Sequence, residues 1–449
     1  MSTFLPRLLV SGLPLWPLSL LADVASPTIP VGSIDPAREL IITHLDVVQN
    51  SQDAQPGGRF TLEHLLAGIA HDGRAKTALL EWLNGWEAEQ NRQLFAVGAE
   101  VIKIWKELDK PDPTKEWDPV FKNAPFCLLA IVARFDLMPF DQKTQGLKRV
   151  PELRFIYGMV KAGKVMNATV IFEYHMPAAT DAEFLRYVED WHKLVEKPGF
   201  GPAYCDALAK LTDRITQPAC LSAPRRLAQI RTSEKALSLL CTGPAYWNLR
   251  EFRLDANGRI VAAPTAQTPR DCLAGDPLLA EYINTNHEKI SRGEYEVPER
   301  YGSPSLPFLG HQATIRSSTE HTWPDTWVDP GKTPAAEKFF RNTCNGCHGL
   351  ENETQFLHIF PRDLDKPSVL GKFLRPEEVN GKLVWPAEVE FRRGDLAGLL
   401  GQAALLKASA NTPQPFYRRL RSIFSKPIAP SVLTPKPSPD QVARAGRVH

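Results

Sequence analysis

The apolar and polar positions change period several times along the chain. From Phe60 to Gly85 they recur at helical spacing, and Leu79, Trp82, Leu83 and Trp86 make one apolar face. Three short apolar runs follow: FCLLAIVARFDL from Phe126 to Leu137, LRFIYGMV from Leu153 to Val160, and ATVIFEYHM from Ala168 to Met176. Runs this short and this apolar predict strands covered on both faces. Phe184, Val188, Trp191 and Val195 then form a second helical stripe, and a further helix is predicted over Pro202 to Ile215.

Next comes a hairpin pattern. Trp247 to Leu254 and Arg259 to Ala263 flank Asp255-Ala256-Asn257-Gly258, and Asn-Gly accepts the positive φ that a tight turn needs. Leu278 to Ile290 is helical again. Residues 301–332 have no clear period and are rich in proline, glycine and aromatics, which predicts a linker or wrapping loop. The pattern predicts an α+β region over 26–300 with a mixed, largely buried sheet. A separate unit follows over 333–424, and residues 425–449 form a flexible Pro-rich tail.

Composition narrows the function. The 449 residues carry a formal net charge of +2, so nothing electrostatic argues for nucleic-acid binding. No apolar run reaches the ~18 residues that a membrane-spanning helix needs. Arg7 precedes an apolar run from Leu8 to Ala22, with small residues at Ala22 and Ala25. That pattern predicts a signal peptide over 1–25 and a periplasmic or secreted protein, although Pro14 and Pro17 interrupt the run. The alternative is an apolar arm of a cytosolic protein. Of the seven cysteines, Cys127, Cys205, Cys220, Cys241 and Cys272 are scattered, and export would allow one or two disulfides among them. Cys127, inside an apolar run, reads as a buried thiol.

Cys344 and Cys347 belong to a motif, Cys344-Asn345-Gly346-Cys347-His348. Two thiols three positions apart can add to the two vinyl groups of one porphyrin, and the adjacent histidine then ligates the iron from beneath. Within 349–394 the only further histidine is His358. None of the five methionines lies after Met176, so a downstream methionine ligand is excluded. His358 is therefore the candidate distal ligand, with His311 and His321 behind it. The competing chemistry is zinc, held by the two cysteines with His358 and either His348 or His321.

Around the motif the chain resembles the cytochrome c family, over about residues 333–405. Thr333 and Pro334 suit a helix start, and Ala336 and Phe340 stand eight and four positions before Cys344, where that family has a small residue and an aromatic. Gly349 follows the histidine. Arg392 to Leu400, RRGDLAGLL, is similar to the family's closing helix through Asp395, Leu396 and Gly398, but Leu399 stands where an aromatic is usual. The resemblance implies an all-α, cytochrome c-like C-terminal domain with one haem c. In it Cys344 and Cys347 would make the thioether bonds, and His348 would be the proximal ligand. The segments VIFEYHMP, YWNLREFRLDANGRI and AAPTAQTP also resemble a loose group of exported bacterial proteins that have no assigned activity.

The expected function is that of an exported mono-haem electron carrier, served by a redox partner protein or a small electron donor or acceptor. The alternatives are a haem-linked oxidoreductase with its substrate site in the α+β domain, and an exported binding protein stapled by zinc. Other chemistry-bearing residues read more simply. His64 and His71, and the strand pair Glu173 and His175, are expected to be structural. Arg392 and Arg393 are either partners for haem propionates or a solvated helix start. Neither HExxH nor GxSxG occurs.

Overall fold

The computed structural model describes residues 29–410, apart from 91–101, 104, 106–120, 122–123, 138–139, 142–145, 148–149, 162–163, 177–180, 219–225, 237–245, 316–322 and 324–327. The expected signal peptide, the Pro-rich tail, Cys220, Cys241 and His321 lie outside the described residues.

The centre of the fold is an eight-stranded sheet. Its order is Ile41–Ile42, Phe126–Arg134, Glu152–Lys161, Lys164–His175, Leu227–Ala236 and Tyr246–Leu254. The outer edge of the last strand is shared: Ala313–Ile315 pairs with its first half and Ile260–Ala263 with its second. Every pairing is antiparallel, so the expected mixed sheet is corrected to an antiparallel one. Two links are short, from Lys161 to Lys164 and from Leu254 to Ile260, and a short link joins only antiparallel neighbours. The link from His175 to Leu227 carries two helices and brings the next strand back antiparallel as well.

The predicted apolar runs become the central strands, and side-chain alternation gives the sheet two unlike faces. On one face, Leu153, Phe155, Val170, Phe172, Ile230 and Phe252 are buried. The helix Ala75–Gln90 covers this face: Trp82 meets Phe172 at 5.7 Å and Trp86 meets Phe252 at 6.5 Å between ring centroids. The Asp255–Gly258 turn joins two paired strands as predicted, with Gly258 at φ +74°.

The C-terminal part overturns the expected all-α cytochrome c-like domain. Its long helix, Ala387–Ala410, packs on the helix Asp181–His192, and Val389, Leu396, Leu400 and Ala403 enter the main core. The helix before the motif, Thr333–Arg341, instead packs on Pro277–Arg292, and Ala335, Ala336 and Phe339 enter a second core with Leu279, Tyr282 and Ile283. The two helices that would cross in a compact haem domain therefore bury their apolar faces in different cores. The presumed linker is also structured in part, since Ala313–Ile315 is an edge strand of the main sheet.

Cys127, Cys205, Cys272, Cys344 and Cys347 are all thiols, so the expected disulfide is not seen among the described cysteines. Burial pushes the half-buried Cys127 thiol up. Among the described residues, no helix is long and apolar enough to cross a membrane.

Candidate functional site

The second face of the sheet carries charge, although it is buried. Arg134, Glu152, Arg154, Glu173, Gln229, Arg231 and Glu251 all lie within it. Cross-strand register sets Arg154 opposite Glu173 and Arg231 opposite Glu251. The ion pairs run on from strand to strand: Arg154 to Glu152 at 2.7 Å, Arg154 to Glu173 at 3.6 Å, Arg231 to Glu173 at 3.2 Å and Arg231 to Glu251 at 3.4 Å. Gln229 also donates to Glu173. Burial opposes the charge on Glu173, yet Arg154 and Arg231 override it and hold the carboxyl below its ordinary range. A buried ionic ladder of this kind is weak evidence for stability, because an apolar replacement of similar shape is often as good.

The Cys344–Cys347 turn lies near this ladder. Thr343 caps it, accepting from the Gly346 N–H at 3.0 Å while its hydroxyl donates to the Phe340 carbonyl at 2.7 Å. The indole of Trp323 donates to the same hydroxyl at 3.1 Å. The Cys344 N–H donates to Thr268 at 2.8 Å, and the Asn345 amide donates to Asp271 at 3.3 Å. Thr314, on the edge strand, also donates to Asp271. Gly346 is required here for space, because a Cβ would stand 1.8 Å from the Phe340 carbonyl oxygen. Cys344 is 0% exposed and Cys347 is 8% exposed. Burial pushes their thiols up to about 12 and about 11. Such thiols are poor nucleophiles, which disfavours a dithiol–disulfide exchange role.

His348 follows the turn. Its Nδ1 donates to the Phe356 carbonyl, which fixes the tautomer and leaves the lone pair on Nε2. Burial pushes His348 down to about 4, and Arg231 and Arg154 add to the effect. His358 comes back to the same place. Its Nε2 is buried with no hydrogen-bond partner among the described residues. Burial also pushes His358 well down, helped by His348. Both imidazoles are thus neutral, the form in which histidine binds metals.

The sequence-predicted residues Cys344, Cys347, His348 and His358 are therefore brought together. Their chemistry fits a covalently held haem: paired thiols, one oriented neutral imidazole, and a second with an orphaned buried nitrogen. The arrangement of the two rings is less accommodating. They stack face to face at 4.0 Å with planes 3° apart. Two histidines that both held one metal would point their ring nitrogens at it, not lie face to face. Ligation by both histidines thus requires one ring to leave the stack. Among the described residues, no three His, Cys, Asp or Glu side chains converge as a set that would hold a metal ion, and the zinc candidate His321 lies outside them.

The other candidates separate. His311 is exposed. His64 pairs with Asp213 at 2.9 Å and His71 approaches Glu81 at 3.6 Å, so they do not act as a pair. His175 is exposed while Glu173 is buried in the ladder. Arg392 and Arg393 are taken by Glu388 and Glu390, each at 2.7 Å, and Arg392 is buried, so neither the propionate role nor a solvated helix start describes it. Sequence reasoning missed the ladder. Its only signal is the alternation of charged with apolar residues inside Leu153–Tyr157, Ile171–His175 and Trp247–Arg253. No family model matches this chain, and neither does any curated protein or solved structure.

Proposed function

We propose that the chain carries one c-type haem, bound covalently through Cys344 and Cys347 with His348 as the proximal ligand, and that it serves in electron transfer. The observation that carries this reading is the meeting of two thiols on one capped turn with two neutral imidazoles, one buried and one half-buried, the second with an orphaned Nε2. The reading does not depend on a cytochrome c fold. When bound, the group supplies one-electron chemistry, with a potential set by the axial ligands and the buried charges around them.

The chain's own residues do the rest. Thr343, Thr268 and Asp271 hold the attachment turn in place. The Phe356 carbonyl orients the His348 ring. Phe356 is held in turn by stacking on Trp247 at 4.6 Å, which ties the histidine to the edge of the sheet. Arg154 and Arg231 oppose further positive charge at His348. The haem reading brings with it export to the periplasm or medium and a redox partner, either a protein or a small donor or acceptor.

The test is the full-length chain made with haem-attachment machinery and purified. A visible spectrum with a Soret band and sharp reduced α and β bands is expected. Mass spectrometry should show one haem on the peptide that contains Cys344 and Cys347. Protein from the native host with both thiols unmodified overturns the proposal.

A further inference from the structure

Beside His358 the chain forms an open groove of about 450 Å³, lined by Gln355, Phe360, Val369, Leu370, Lys372 and Arg375. That volume is in the range of small-molecule sites. Two segments build it. The Phe360 N–H donates to the Val369 carbonyl at 2.9 Å, Ile359 bridges to Leu370, and the Gly371 N–H donates to the His358 carbonyl at 2.7 Å. The wall is therefore fixed by backbone bonds. Val369 is 53% exposed, so the wall presents an uncovered apolar side chain to the groove.

The rim has one sign of charge. The Arg375 N–H donates to the Gly371 carbonyl at 3.0 Å, closing a helical turn that sets Lys372 and Arg375 three positions apart on one side. No carboxylate lines the groove. Several basic residues in this part of the chain are paired, Lys366 with Asp363 at 3.2 Å, Arg392 with Glu388, Arg393 with Glu390 and Lys407 with Glu189 at 2.7 Å, and Arg362 is held by Gln49 and backbone carbonyls. Among the described residues, Lys372 and Arg375 take no ion pair. An apolar floor with two uncompensated cations at one margin is complementary to an amphipathic anion. The planar fork of arginine matches a carboxylate through two parallel hydrogen bonds, with lysine adding a point charge.

We infer that this groove binds a small apolar carboxylate, its chain lying over Phe360, Val369 and Leu370 and its head group held by Arg375 and Lys372. The inference goes beyond the electron-transfer reading and does not need the haem.

Calorimetric titration of the purified full-length chain with octanoate tests it. Octan-1-ol and octylammonium supply the same chain without the anion. Octanoate should bind at least tenfold more tightly than either. The double variant Lys372→Glu with Arg375→Glu should lose at least tenfold in octanoate affinity while its circular dichroism and melting temperature stay as in the parent, since both positions are exposed. Equal binding of octanol and octanoate, unchanged octanoate affinity in the double variant, or no octanoate binding in the millimolar range each overturns the inference. The readout is heat of binding, so failure here is distinguishable from failure of haem attachment, which is read by spectrum and mass.

Discussion

The imidazoles of His348 and His358 lie parallel, 4.0 Å apart between centroids and 3° apart in plane, with Phe373 closing against the outer ring edge-on at 4.6 Å. Ten positions apart in the sequence, the two rings meet where the Phe356 carbonyl accepts from His348 and the His358 carbonyl accepts from the Gly371 N–H. One buried nitrogen of the pair, His358 Nε2, has no partner. A buried polar atom left unsatisfied costs about 1–3 kcal/mol, so its persistence needs a reason. Ligation of iron supplies one. His358→Ala in the haem-loaded protein should therefore turn a low-spin spectrum into a high-spin one. An unchanged low-spin spectrum removes His358 as a ligand and leaves His348 alone.

The Cys344 and Cys347 thiols, proposed as the attachment points, are buried, and their replacement separates cofactor loss from unfolding. Cys344→Ser with Cys347→Ser should abolish haem that survives denaturing electrophoresis. The chain should still fold, at a cost of about 1–3 kcal/mol for each new buried hydroxyl. In-gel haem staining and a urea titration on the same preparation check both halves. Covalent haem in the double variant would place attachment elsewhere.

Gly346 occupies a position where the Phe340 carbonyl oxygen leaves no room for a side chain. The obstacle is backbone, so it does not move aside as a flexible side chain would. Gly346→Ala should cost at least about 1–3 kcal/mol and lower the melting temperature. Asn345, whose amide bonds Asp271, should tolerate Asn345→Asp far less well than an exposed position, because two carboxylates would then face each other. A Gly346→Ala protein as stable as the parent contradicts the packing described.

Arg134 and Asp136 form a buried pair through two contacts of 2.9 and 2.8 Å. Burial alone would raise the Asp136 carboxyl, but the guanidinium overrides it and holds the group well below the usual range. The folded state therefore binds this proton less readily than the unfolded state does. The pair's contribution is complete above the unfolded value of about 3.9 and is lost as pH falls from there through the lowered folded value. Glu173, also held low, adds a second loss of the same sign. Asp136→Asn should cost about 3–5 kcal/mol near neutral pH by removing the carboxylate that makes both of these contacts to Arg134. It should also make the acid limb of the stability curve shallower by about 1.4 kcal/mol per pH unit. Chemical denaturation at a series of pH values measures both, and an unchanged acid limb would show that Asp136 titrates normally.

Trp82 and Trp86 stack at 5.3 Å, one helical turn apart, and both indole N–H groups are buried without a partner. The rings contribute through apolar packing, and the N–H groups cost stability. Trp82→Phe should accordingly be mild, about 1 kcal/mol or less, because it removes an unsatisfied donor along with some contact area. Trp82→Ala should cost about 3–5 kcal/mol. Comparable losses for the two would mean that the N–H is satisfied.

Much of the molecule was legible before its shape was known. The stripe of Leu79, Trp82, Leu83 and Trp86 is buried, and the three apolar runs are central strands. These are effects of period, which any short window of residues records. The resemblance around 333–405 misled about the fold. Ala336 and Leu396 do face apolar cores, as the family pattern would have them do, but not the same core. A helix's apolar stripe states that a face must be covered, and is silent about which element covers it.

The order of residues alone marked the main helices and three of the central strands, and set two thiols and a histidine within five positions. Backbone propensity, side-chain alternation and covalent neighbourhood are all local. The partner of each buried charge, the stacking of His358 on His348 and the meeting of the C-terminal helix with Asp181–His192 depended on the folded arrangement. Those relations join residues far apart in the chain. They are settled by the burial of whole faces and by the neutralisation of charges that have already lost their water.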